Sequence, residues 1–170
     1  MSCILNTGVA LGCRDEKSGG VFTLYLASYS ASTIFSENGS GVVTGATAYN
    51  TFYEFQFPAE TAEISETGNF SVENQTAYFE QVINSAMYST DQTTRDALNL
   101  LGMGRVFAIA KDNTGKYFLY FRQNGGWLTS ATILLGKAMG DMNGIQYTLT
   151  GKNTVPAVEC HQSLLTTLGF

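Results

Sequence analysis

The side chains best suited to catalysis are few in this sequence. His161 is the only histidine, and it directly follows Cys160. Neighbouring residues of a strand point to opposite faces of a sheet, so we do not expect these two to work as a base and a nucleophile. The glutamates could supply an acid–base pair, but their alternating positions indicate solvated carboxylates. An enzyme is therefore the least favoured class of protein.

Two other patterns suggest chemistry and lack the spacing that it requires. Residues 136–140 (GKAMG) resemble a phosphate-binding loop, but the P-loop spacing and its closing Lys-Ser/Thr are missing. Asp141 and Asn143 could bind calcium, but the twelve-residue ligand pattern is absent. The cysteines are odd in number and lack metal-ligand spacing, which predicts free thiols. We therefore expect no metal and no cofactor.

The charges are strongly segregated along the chain. Between Lys17 and Arg95 there is no basic residue, whereas the same span holds eight acidic ones. From Arg95 onward seven basic residues face four acidic ones, and the whole chain has a net charge of −5. This balance argues against a protein that grips nucleic-acid phosphates. It predicts an acidic surface, and contacts between copies of the chain through opposite charges.

The apolar periodicity predicts a mainly β protein of one domain. In the first strand, the face with Phe22, Leu24 and Leu26 is the better core candidate. The Asp-Asn-Thr-Gly turn at residues 112–115 is the strongest hairpin signal in the chain. The predicted strands cover residues 21–28, 51–57, 61–66, 70–82, 105–111, 116–122, 130–135 and 145–150, with a turn of the long hairpin at residues 67–69.

One helix is predicted at residues 89–101. Ser89 and Gln92 have the spacing of a capping box, an apolar stripe follows them, and Gly102 suits the C-terminal cap. The domain would span residues 21–155. Residues 1–20 and 156–170 lack a clear strand pattern and are predicted to be arms that contact a neighbouring copy. The arm residues expected in these contacts are Ile4, Leu5, Leu164, Leu165 and Phe170.

The long hairpin is polar on both sides, which indicates a sheet with one wet face or one that faces a channel. Glu63, Glu66 and Glu73 flank its predicted turn, and no basic residue lies near them in sequence. We therefore predict that these three glutamates line a channel. In the alternative, they lie on an outer wall and only aid solubility.

The C-terminal half resembles the major tail proteins, or tail tube proteins, of tailed bacteriophages. The resemblance covers residues 89–159. It rests on the central helix, the hairpin AIAKDNTGKYFLYF, and the segment GKAMGDMNGIQYTLTGKNTVPAVE with its Gly-x-x-x-Gly-Asp-x-x-Gly turn. It implies a β-sandwich or barrel with one flanking helix, and hexameric rings that stack into a tube with a negative lumen for DNA.

The resemblance also implies partners and a location. The partners would be other copies of the chain, other phage tail proteins and DNA in non-specific passage, and the location would be the virion tail after assembly in the host cytoplasm. Neither a transmembrane run nor a signal peptide is visible. Two alternatives stay open. One is another virion component: a connector, a tail terminator or a head decoration. The other is a ligand-binding β module that uses exposed tyrosines and Trp127.

Overall fold

The computed structural model describes residues 19–58 and 60–170. This part of the chain is mainly β, as the sequence predicts, with eleven strands and with two helices where the sequence predicts one. The elements in chain order are β1 (Val21–Ser28), β2 (Ile34–Glu37), β3 (Val43–Thr47), β4 (Tyr53–Gln56), β5 (Glu63–Ser71), β6 (Thr76–Met87), α1 (Gln92–Met103), β7 (Arg105–Asp112), β8 (Tyr117–Tyr120), β9 (Gly126–Leu134), β10 (Gly144–Asn153), β11 (Val158–Cys160) and α2 (Gln162–Leu168).

The strands form one open, mixed sheet. Its order is β2-β3-β11-β8-β7-β9-β10-β6-β5, and β1 and β4 branch from β7. All the pairings are antiparallel except that of β11 with β3. Within the described residues, β2, β4 and β5 each pair on one side only, so the sheet is open and the isolated chain is not a closed barrel.

The strands β1 and β7 are buried on both faces. Leu24 and Leu26 pack in one apolar cluster, which we call the first core, and Tyr25 and Ala27 pack in a second one. The prediction of a single core face for β1 is therefore wrong, and the side chain of Phe22 lies outside the described residues. Strands covered on both sides lose the polar alternation that marks a half-exposed strand.

The first core joins β1 and β7 to the strands β6 and β10. Ile83 of β6 and Leu149 of β10 are fully buried there, and Leu101 of α1 packs in the same cluster. One face of β6 and β10 is thereby covered, and the opposite face stays free. This division creates the surface described below as the candidate site.

The helix α1 exists as predicted but begins and ends later. Its N-cap is Asp91, whose carboxylate accepts a hydrogen bond from the Thr94 amide at 2.9 Å. Ser89 instead accepts a bond from the amide of Asp91 at 3.3 Å, and the helix ends at Met103 with Gly104 as its C-cap. The capping box at Ser89 is therefore wrong, because an aspartate two residues later is an equally good cap and lies nearer the helical residues.

The prediction of a C-terminal arm is also wrong. In residues 156–170, β11 pairs with β8 and β3, and α2 follows, with His161 as its N-cap. Leu164 and Leu165 are buried in the second core of their own chain, because α2 packs on the sheet. Phe170 lies 4.7 Å from the ring of Tyr25, measured between centroids. The other two predicted contacts, Ile4 and Leu5, lie outside the described residues.

Both predicted hairpins form, but one has its turn elsewhere. The Asp112 carboxylate accepts bonds from the amides of Thr114 and Lys116, which fixes the β7–β8 turn as expected. The β5–β6 ladder instead runs unbroken to the pair Ser71 and Thr76. Gly68 lies inside β5, and the exposed Phe70 ring lies 2.7 Å from where a Cβ atom would stand, so a side chain at this position would displace that ring.

Candidate functional site

The strands β5, β6, β10 and β9 expose one continuous surface, which we call the polar face. In this register Thr148 of β10 lies between Asn84 of β6 and Ser130 of β9, while the alternate residues point into the first core. Strand pairing therefore collects side chains that are far apart in sequence. The polar face consists of Glu63, Ser65, Thr67, Asn69, Tyr78, Glu80, Val82, Asn84, Gln146, Thr148, Thr150, Lys152, Trp127, Ser130, Thr132 and Leu134.

Hydroxyl and amide groups dominate the polar face. Thr148 donates to the Asn84 side chain at 2.9 Å, within an open concavity of about 470 Å³. Lys152 and Glu80 lie directly opposite each other and form an exposed ion pair at 3.8 Å. Glu63 is the remaining charge among the residues of this face. The surface is thus wet, nearly uncharged and slightly negative, which does not favour tight binding of phosphates.

Both lateral edges of this four-stranded unit are open in the described part of the chain. β5 pairs with β6 alone, and β9 meets β7 only through Trp127 and Gly126. Residues 129–133 of β9 are exposed. Native edge strands are commonly blocked by lysine, proline or a bulge. β9 has a bulge near Thr129 but carries no lysine, no proline and no charge of any kind.

The three glutamates predicted to line a channel do not share one surface. Glu63 lies on the polar face, whereas Glu66, three residues along β5, points to the opposite side and accepts bonds from Gln81 and the Ala157 amide, both at 2.9 Å. Glu73 lies in the turn between β5 and β6. The prediction of a joint lining is therefore wrong, because positions three apart on a strand face opposite ways.

The pairing of Cys160 with His161 does not form a reactive site. Burial raises the pKa of the Cys160 thiol to about 12, which keeps it protonated at neutral pH. His161 accepts a hydrogen bond from the Ser163 amide through Nδ1 at 3.2 Å. The pair therefore serves the second core and the start of α2.

The loop at residues 135–143 contains the predicted turn. The Asp141 carboxylate accepts bonds from the amides of Lys137 and Ala138, both at 2.8 Å, and these bonds lower its pKa. In the described part of the chain, no three His, Cys, Asp or Glu side chains come together as metal ligands. None of the helices described is long and apolar enough to cross a membrane.

A buried polar network under the first core was not predicted from the sequence. Gln81 accepts bonds from the Phe121 amide and from Asn153, both at 2.8 Å, and donates to Glu66. A glutamine at an apolar-facing position of a strand was the available signal, since such groups are buried only with partners. The sequence also contained a signal for the open edge of β9, because residues 126–134 carry no charge.

Comparisons of the chain with known protein families, with curated proteins and with solved structures find no match. The resemblance to phage tail proteins therefore stays a prediction from the residues of this sequence.

Proposed function

We propose that the chain is a structural subunit that assembles side by side into rings and forms a phage tail tube for DNA. The open edges of β5 and β9 are the observation that carries this proposal. The two lateral edges of this four-stranded unit contain no lysine or proline, and their backbone groups can pair with another chain. A contact between two different surfaces of identical copies leads to a ring when the rotation between them closes.

The strand directions fit such a junction. β9, β10, β6 and β5 alternate in direction, so β9 and β5 are themselves antiparallel. When β9 of one copy meets β5 of the next, the antiparallel pattern continues across the junction. Each edge strand contains nine residues, and the seven residues of β9 that do not pair with β7 are available for the junction.

In such a ring the polar face would line the lumen. The opposite face of β6 and β10 is already buried in the first core. A hexamer would supply about 24 strands, and a spacing of about 4.8 Å with a tilt of 35–45° gives a barrel roughly 45–50 Å across at the backbone. A wet, weakly negative wall lets a polyanion pass because it offers few contacts that release counterions.

Single proline substitutions at Thr132 and Ile133 test the lateral junction. Successive residues of a strand direct their backbone groups to opposite sides, so one of these two has its N–H turned away from β10. The proline variant at that position should keep its thermal unfolding transition and lose the rings, because proline removes the N–H. Thr132→Val is the matched control and should keep the rings.

Negative-stain electron microscopy and sedimentation velocity give the readout. Rings in the wild type and in the valine variant, with monomers in the folded proline variant, support the proposal. Rings that persist in both proline variants would overturn edge pairing. A wild-type protein that stays monomeric at high concentration would overturn the proposed function. Discrete rings that never stack would instead favour a connector or a terminator.

A further inference from the structure

The β5–β6 hairpin extends beyond the rest of the sheet. The pairing of β10 with β6 ends at Phe79, whereas β5 and β6 continue as a pair to Ser71 and Thr76. Beyond this point Val72 is 92% exposed, and Phe70 beside it is 70% exposed. We call residues 69–78 the hairpin tip. It presents two large apolar side chains to solvent at one end of the strands.

The hairpin tip is packed rather than frayed. The ring of Phe70 meets that of Phe79 edge to face, with 5.7 Å between centroids, and lies over Gly68. The amide of Asn74 donates to Ser71 Oγ at 3.2 Å and closes the turn. These contacts hold the apolar surface outward in one shape, as a preformed contact surface requires.

A second apolar surface lies at the other end of the same strands. We call residues 135–143 the β9–β10 loop. It exposes Leu135 and Met139, and Met139 is fully exposed. The bonds that Asp141 accepts from the amides of Lys137 and Ala138 fix the loop. The side chain of Lys137 is exposed at this end, as Glu73 is at the hairpin tip.

The two ends can meet only between different copies of the chain. The β9–β10 loop lies at the Met87 end of β6 and the hairpin tip at its Thr76 end. The twelve residues of β6 separate them by about 40 Å at roughly 3.3 Å per residue. A copy displaced along the strands would bring its loop onto the tip of the first copy. Such a contact repeats without closing and builds a filament.

We infer that the hairpin tip of one copy docks on the β9–β10 loop of a copy in the next ring. Phe70 and Val72 would pack against Leu135 and Met139, and Glu73 would pair with Lys137. Among the described residues neither of these two charges has an ion-pair partner within the chain. The occupant is a second copy of this chain, and the inference rests on the proposed ring.

Charge reversal at the two ends tests the contact. Glu73→Lys and Lys137→Glu should each shorten the stacks to at least about tenfold fewer rings per particle, because the weakened contact is repeated around every ring. The variant that carries both changes should recover the stacks, because the pair is restored with its signs exchanged. Val72→Asp should abolish the stacks and leave the rings.

Leu100→Asp is the control, since Leu100 is a 70% exposed apolar residue of α1 that belongs to neither proposed contact segment. It should leave the stacks unchanged. The lengths of the particles in electron micrographs give the number of stacked rings, and thermal unfolding verifies that every variant is folded. Stacks that survive both charge reversals and Val72→Asp would overturn the docking contact while the ring stands. The absence of rings in the wild type would overturn both proposals.

Discussion

Truncation of Gln81 to alanine should strongly destabilise the monomer. Gln81 is 1% exposed, and its amide satisfies the Phe121 N–H and the Asn153 side chain at 2.8 Å each. Phe121 is fully buried and has a φ of +62°, a conformation that non-glycine residues rarely adopt. Such backbone persists only where its surroundings hold it in place. Gln81 is one of the groups that hold it.

The size of the effect follows from the groups left without partners. An unsatisfied buried donor costs about 1–3 kcal/mol. The truncation leaves two buried donors without an acceptor and also creates a small cavity. We expect a loss of roughly 4 kcal/mol, a large part of the 5–15 kcal/mol that typically stabilises a domain. At about 2–4 °C per kcal/mol for a chain of this size, the melting temperature should fall by roughly 8–16 °C.

Urea unfolding and thermal melting, followed by circular dichroism, measure this loss in the monomer. Asn84→Ala is the control, an amide on the same strand that lies on the polar face and accepts from Thr148. It is partly exposed, so water can replace the bond, and the loss should stay below about 1 kcal/mol. Equal losses for Gln81 and Asn84, or a loss under about 1.5 kcal/mol for Gln81, would refute the reasoning.

Two further outcomes follow from the cap of α1 and from the buried thiol. Asp91→Ala should lower the urea midpoint clearly more than Ser89→Ala, because Asp91 caps the helix; the reverse order would restore the cap predicted from sequence. Burial raises the pKa of Cys160 to about 12, so the unfolded thiol ionises first as pH rises. Below about pH 8.5 this thiol has its full stabilising effect on the free energy of unfolding. Between about pH 8.5 and pH 12 the free energy of unfolding falls, by up to about 1.4 kcal/mol per pH unit. Mass spectrometry should find Cys160 unlabelled by a thiol reagent at pH 8 until denaturant is added, and rapid labelling in the native state would contradict this.

Local patterns predicted the features that depend on neighbours in sequence. The alternation in residues 145–150 identified β10, and the Asp112 turn chemistry identified the β7–β8 hairpin. The apolar stripe of α1 was clear, but its boundary was not, since Ser89 and Asp91 both suit a cap. The sequence predicts a turn at Gly68, because glycine is typical both of turns and of positions that another side chain approaches closely.

Contacts between distant residues decided the rest. Sequence alone established a mainly β chain with segregated charge, because period, turn chemistry and composition act over a few residues. The tertiary structure decided that β1 is buried on both faces, that α2 packs on the sheet, and that Glu63 and Glu66 face opposite ways. It also decided which edges stay open. A strand's sequence specifies which residues alternate, but the strands and helices that pack against it determine which face is covered and which edge is unpaired.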